Sequence, residues 1–158
     1  MSFVAEKDPG LIPQVLSKIL DSCVNGVTLA DPDLEDMPIV YANKAFERMT
    51  GYGQAEIIGH NCRFLQGEDR EQEARYQLRN AIDKSEPFEV TIRNYRKNGE
   101  LFYNHLMISP LFDSNGKVIY YLGVQYDVTN QVTAAEEIKR LSESLEVLSR
   151  KKSEQIKV

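Results

Sequence analysis

The chain has 158 residues, a length that suits one domain able to bury roughly two thirds of its unfolded surface. Hydrophobic residues make up 42% and charged residues 27%, and 19 Lys and Arg against 24 Asp and Glu leave a net charge of −5. That balance excludes a disordered or fibrous chain and recommends neither nucleic acid nor an anionic membrane as a partner. No apolar run approaches the ~18 residues of a membrane span, and the acidic, polar amino terminus does not read as a signal peptide, so a cytoplasmic protein is expected.

Leu11, Ile12, Val15, Leu16, Ile19 and Leu20 recur at helical spacing, which predicts an amphipathic flanking helix ending near Asn25-Gly26. Val27 to Ala30 and Ile39 to Tyr41 read as a first pair of short strands around the loop Asp31 to Pro38. Asn43 is placed to cap a helix over Lys44 to Thr50, Gly51 ends it, and Arg70 to Asp83 is long enough for a steady helix. Phe88 to Arg96, Leu101 to Phe112 and Val118 to Val128 then form an antiparallel meander, separated by Lys-Asn-Gly and Asp-Ser-Asn-Gly turns. A last helix is expected over Gln131 to about Lys152, with Arg150 to Val158 frayed. The sum is an α+β domain, a five-stranded antiparallel sheet with helices on one face, and boundaries at 1–25, 26–129 and 130–158.

Strand side chains alternate, so Asn94 shares a face with Phe88, Val90 and Ile92, and Asn104 shares one with Phe102, Leu106 and Ile108. In the third strand Gln125 stands in a row with Ile119, Tyr121 and Gly123, a glycine that leaves space beside it. A three-residue loop Lys97-Asn98-Gly99, with Gly99 left-handed, puts Asn94 and Asn104 on the same face; a two-residue loop would separate them. An unpartnered buried amide costs roughly 1–3 kcal/mol. Each amide alone could bond loop carbonyls, but three on one inner face suit a planar ligand with alternating donors and acceptors.

Cys23 and Cys62 are the only cysteines and are expected to be free thiols, each by default a small buried hydrophobe. Cys62 stands apart by its company: Asn61 and Gln66 add two amides, and Arg63, Arg70, Arg75 and Arg79 form a basic series. Arginine forks suit phosphate, so this reads as a clamp on a phosphorylated small molecule. Pairing of Glu71 with Arg75 and of Arg79 with Asp83 at i,i+4 is the competing explanation for two of them.

The segment Gly59-His60-Asn61-Cys62-Arg63-Phe64-Leu65-Gln66-Gly67 resembles the G-x-N-C-R-F-L-Q signature of LOV (light, oxygen, voltage) photoreceptor domains, a branch of the PAS superfamily. The likeness runs from about Gly26 to Val128 and includes Asn43-x-x-Phe46, Thr50-Gly51-Tyr52, Asn94-Tyr95-Arg96-Lys97-Asn98-Gly99, Asn104 and Gly123-Val124-Gln125-x-Asp127-Val128-Thr129. The resemblance implies a non-covalently held flavin mononucleotide (FMN), with Cys62 attacking the flavin C4a carbon after blue light. It puts Asn94 and Asn104 on the pyrimidine edge, Gln125 near O4 and N5, and Asn61 and Gln66 on the ribityl and ring region. Arg63 and Arg79 take the phosphate, Arg70 and Arg75 are candidates to join them, and Val27, Leu29, Leu65, Leu106 and Gly123 line the ring. Tyr103 and His105 stand where many members carry tryptophan and glutamate, but their parity turns them away from the pocket.

No enzyme motif competes: Gly51-Tyr52-Gly53 begins a G-x-G but Glu56 stands where its third glycine belongs, and no Walker loop, G-x-S-x-G or H-E-x-x-H occurs. His60 and His105 are the only histidines and match no haem or metal motif. A sensor rather than an enzyme is expected; the rival is a light-independent PAS module that dimerises or binds a redox ligand. Ala134, Ile138, Leu141, Leu145 and Leu148 form a short heptad seam. With the apolar row Val118, Tyr120, Leu122, Val124 and Tyr126 it predicts a homodimer signalling through Gln125 and the terminal helices, either to a separate partner or as a sensor excised from a larger protein.

Overall fold

The computed structural model describes residues 11–157, with side chains from Gln14 onward. Leu11 and Ile12 of the expected apolar face, residues 1–10 of the expected flanking segment, and Val158 therefore lie outside the described residues or side chains. Five strands, β1 (Gly26–Ala30), β2 (Ile39–Ala42), β3 (Phe88–Tyr95), β4 (Leu101–Phe112) and β5 (Val118–Asp127), form one antiparallel sheet in the order β2-β1-β5-β4-β3. Helix α1 (Leu11–Ser22) precedes it; α2 (Lys44–Thr50), α3 (Gln54–Ile57), a 3₁₀ turn (Cys62–Gln66) and α4 (Glu73–Asp83) connect β2 to β3; α5 (Thr129–Ile156) follows. The chain divides between Asp127 and Val128 into two compact units, the sheet with α1 to α4 and the single helix α5. No helix among the described residues is long and apolar enough to cross a membrane.

The β3–β4 hairpin closes through the expected three-residue loop. Tyr95 pairs with Leu101, Arg96 N donates to Glu100 O at 2.9 Å, and Gly99 has φ +87°, a conformation a side chain would resist. This register sets Asn94 opposite Phe102 and Asn104 opposite Ile92, all on one face. On β5, Gln125 lies opposite Leu106 and Gly123 opposite Ile108, so the same face continues across three strands. Tyr103 and His105 point to the other face, where His105 contacts Thr91 at 3.0 Å and Glu89 at 3.2 Å.

Strand β1 overturns one expectation. Gly26 pairs with Gln125 and Thr28 with Gly123, so the inward residues are Gly26, Thr28 and Ala30. Val27 and Leu29, expected to line the ring, pair with Val124 and Leu122 and belong to the opposite face. A strand this short with apolar residues at both parities leaves its facing to the pairing with β5.

Helix boundaries also differ. Helix α4 starts at Glu73 instead of Arg70, because Gln72 and Asp69 are drawn into bonds with β3 described below. Helix α5 runs from Thr129 through Ile156, so the segment from Arg150 expected to fray is helical. The first helix stops at Ser22, short of Gly26.

The core between α2, α3 and the sheet is built from Ile39, Ala42, Phe46, Ile57 and Leu65, while Leu78 of α4 packs on Leu106 and Ile108. Asn43, fully buried, joins three elements. Its Oδ1 accepts from Val27 N at 2.8 Å and Phe46 N at 3.1 Å, and its Nδ2 donates to Leu20 O at 2.8 Å and Asn25 O at 3.0 Å. One amide thus caps α2, anchors β1 and holds the end of α1. Asn43→Ala is expected to destabilise the fold by about 2–4 kcal/mol, since it removes a cap and leaves buried backbone groups unpaired; urea unfolding checks this.

Candidate functional site

Four amide side chains are buried inside the domain. Asn94, Asn104, Gln125 and Gln66 are each 5% exposed or less. Asn104 Nδ2 donates to Asn94 Oδ1 at 3.0 Å, Asn94 Nδ2 donates to Arg93 O at 3.0 Å, and Gln125 Nε2 donates to Thr28 Oγ1 at 3.0 Å. The amides therefore pair in part among themselves and with backbone, as each alone could. Yet Asn104 Oδ1, Gln125 Oε1 and Gln66 Oε1 are buried with no hydrogen-bond partner among the described residues. The one further such atom, the Tyr41 hydroxyl, belongs to a residue opposite Leu29 on the other face. The sequence suggested open space beside Gly123; there the backbone admits the Thr28 hydroxyl and the Gln125 amide, which a Cβ would meet at 2.6 and 2.9 Å.

The cysteine segment is a 3₁₀ turn capped by Asn61, whose Oδ1 accepts from Arg63 N at 3.0 Å, and ended by Gly67 at φ +55°. Asn61 Nδ2 donates to Asp36 O at 2.7 Å, and the Arg63 guanidinium pairs with the Asp36 carboxylate. Asp36 and Met37 have positive φ, so these bonds hold a strained loop against the turn. Part of the Cys62 residue is exposed, but the protein packed around it pushes the thiol above its ordinary range, with the Arg63 charge pulling the other way. At neutral pH the group is a thiol rather than a thiolate.

Cys62 opens into a cleft of about 370 Å³ whose walls include Asn61, Arg63, Gln66, Arg75, Leu78 and Arg79. That volume is within the range of small-molecule sites. Leu78 links it to the sheet through its packing on Leu106, and Gln66 brings an orphaned oxygen to its wall. Neither competing helix pair forms: Glu71 accepts from Tyr76 OH at 3.1 Å, Arg75 Nη1 donates to Arg70 O at 3.2 Å, and Arg79 makes no ion pair among the described residues. Arg70 is not part of the cleft wall; its Nε donates to Gly67 O at 2.9 Å, because the chain is still a loop there.

An ionic clamp that sequence reasoning missed fixes this segment to the sheet. Asp69 accepts two bonds from Arg93, at 2.7 and 2.8 Å, and one from Tyr95 OH at 2.7 Å. Gln72 repeats the link, accepting from Arg93 N at 2.9 Å and donating to Arg93 O at 3.0 Å. Arg93 and Tyr95 flank Asn94, so the clamp sets the cysteine turn relative to the amides. Only charge of opposite sign at distant positions hinted at it.

Comparison with known proteins follows the same lines. The PAS domain family matches residues 24–130. A solved LOV domain from the Erythrobacter litoralis EL346 blue-light activated histidine kinase is 46% identical, with a TM-score of 0.62 over 66% of this chain and 95% of that one. The chain is a LOV domain of the PAS superfamily. An RNA-binding light-oxygen-voltage receptor superposes with a TM-score of 0.80 at 36% identity, over 90% of this chain and 40% of that receptor. A blue-light photoreceptor of Listeria innocua is 39% identical over 135 residues, 85% of this chain and 53% of the relative. The LOV chain thus spans about half the length, or less, of the curated relatives it matches. These relatives are light sensors, some with kinase activity of their own.

The site of this LOV domain fits a flavin. The orphaned oxygens of Asn104 and Gln66 need donors, which the N3–H of an isoalloxazine and the hydroxyls of a ribityl chain supply; the Gln125 amide, turned over, offers its NH2 to ring acceptors; and arginines at the cleft suit a terminal phosphate. The Asp69 clamp gives a pH test. Its hydrogen bonds from Arg93 and Tyr95 hold the carboxyl at about 2, below its unfolded value of about 3.9. A depressed carboxyl stabilises the fold above the unfolded pKa and loses that contribution as pH falls through the folded one. The Tm advantage of wild type over Asp69→Asn is therefore expected to be constant above about pH 5 and to vanish toward about pH 2, as thermal melts across that range would show.

Proposed function

We propose that this LOV domain binds FMN non-covalently and converts blue light into a reversible bond between Cys62 and the flavin. When bound, the flavin supplies light absorption and an electrophilic C4a carbon. Cys62 would supply the thiol that adds across the C4a–N5 double bond, its sulfur bonding to C4a and its proton going to N5, and both would return in darkness. No oxidant or reductant is needed. A protonated thiol is a poor nucleophile, which suits a reaction that must wait for a photon.

The observation that carries this reading is the set of three buried amide oxygens without partners among the described residues, one of them on Gln66 in the wall of a cleft that also holds Cys62 and three arginines. Asn94 and Asn104 would hold the pyrimidine edge and Gln125 would face O4 and N5. Asn61 and Gln66 would lie along the ribityl chain, and Leu65, Leu106 and Gly123 would flank the ring. Arg75 and Arg79, without an ion pair among the described residues, are best placed for the phosphate; Arg63 borders the same cleft while tied to Asp36. Protonation at N5 would present a donor to Gln125, whose amide would turn and alter its bond to β1. That is a local hydrogen-bond switch at a sheet.

Two copies would carry the signal onward. In α5, Ile138, Leu141, Leu145 and Leu148 are each more than half exposed and spaced for a coiled-coil seam. The proposed homodimer would pass the Gln125 change to α5 and to a partner or effector. Light scattering on dark and lit protein is expected to give a dimer mass, which the double substitution Leu141→Glu, Leu145→Glu reduces to a monomer.

The cysteine assignment has its own test. Cys62→Ala is expected to retain flavin and its fluorescence but to lose reversible bleaching, while Cys23→Ala bleaches and recovers. Normal bleaching in the Cys62 variant would overturn the mechanism.

A further inference from the structure

Thr28 carries a hydroxyl on the amide face, opposite Gly123, and has no role in the reading above. It is buried, and its Oγ1 accepts from Gln125 Nε2 at 3.0 Å and has no other hydrogen bond among the described residues. The pair exists because residue 123 lacks a side chain: a Cβ there would lie 2.6 Å from Thr28 Oγ1 and 2.9 Å from Gln125 Nε2. Gln125 Oε1, on the other side of the same amide, is buried and unpartnered.

A hydroxyl both donates and accepts, and its hydrogen rotates to suit. A carboxylate, an ammonium or an apolar side chain at this position would favour one amide orientation or neither. We propose that Thr28 is a positioning residue that partners Gln125 in both orientations of its amide. It accepts from Nε2 in one and donates to Oε1 in the other, so Gln125 can reverse the polarity it shows the pocket without losing its bond to β1. This rests on the flavin reading, in which Gln125 turns during the light cycle. Valine would fill the same volume and support only packing.

Two measurements on the full chain test this. By 15N NMR, solvent exchange of the Gln125 side-chain NH2 is expected to speed up about threefold or more in Thr28→Val, the size of one net hydrogen bond, and to stay near wild type in Thr28→Ser. In the flavin-loaded protein, Thr28→Val is expected to change the dark-recovery rate by about threefold or more, and to have no such effect when Gln125→Leu is already present. Unchanged Gln125 exchange in Thr28→Val overturns the proposal. So does an equal rate change in both backgrounds, which would mark a packing effect. If the valine variant does not fold, Thr28→Ala against Thr28→Ser makes the same comparison. Failure of wild type to hold or bleach flavin would overturn the functional reading instead, and NH2 exchange in the flavin-free chain would still decide whether the pair exists.

Discussion

Buried amides that lack partners constrain this structure more than any other feature. Asn43 shows what the fold does with an amide that serves only architecture: both its oxygen and its nitrogen are bonded, and three elements meet on it. Gln66, Asn104 and Gln125 are also buried, yet the side-chain oxygen of each has no partner among the described residues. Each such atom costs roughly 1–3 kcal/mol, comparable in sum to a good part of a small domain's stability. Side chains so placed make sense where a ligand supplies the missing donors.

The rest of the unit keeps those groups together. The Gly99 loop sets the β3–β4 register that puts Asn94 and Asn104 on one face. Gly123 leaves room for Gln125 and Thr28 to meet. Asp69, Arg93, Tyr95 and Gln72 tie the chain that follows the cysteine turn to β3, and Asn61 and Arg63 tie the turn itself to the Asp36 loop. Cys62 is thus held between two anchored loops and kept as a thiol by its surroundings, a nucleophile in position but not activated in the dark.

The meander, its three-residue turn, the amide face and the cysteine segment were legible because each depends on local pattern: alternation, a glycine at a left-handed position, nine contiguous residues. What was not legible depends on pairing across long stretches of chain. Strand β1 has apolar residues at both parities, and only its register with β5 shows that Thr28 rather than Val27 or Leu29 faces inward. Arg70 to Gln72 carry good helix formers, but bonds from Asp69 and Gln72 to Arg93 hold that stretch as a loop and leave Arg70 outside the cleft. Arg63 could be read as a phosphate ligand from its neighbours; its pairing with Asp36 needs the loop geometry.

The most direct test of this account is the visible absorption spectrum of the purified wild-type protein, recorded before, during and after blue illumination with FMN present. The account predicts a yellow protein whose visible flavin band falls in the light and returns in darkness to the starting spectrum. A protein that takes up no flavin, or a yellow one whose spectrum blue light leaves unchanged, would contradict it.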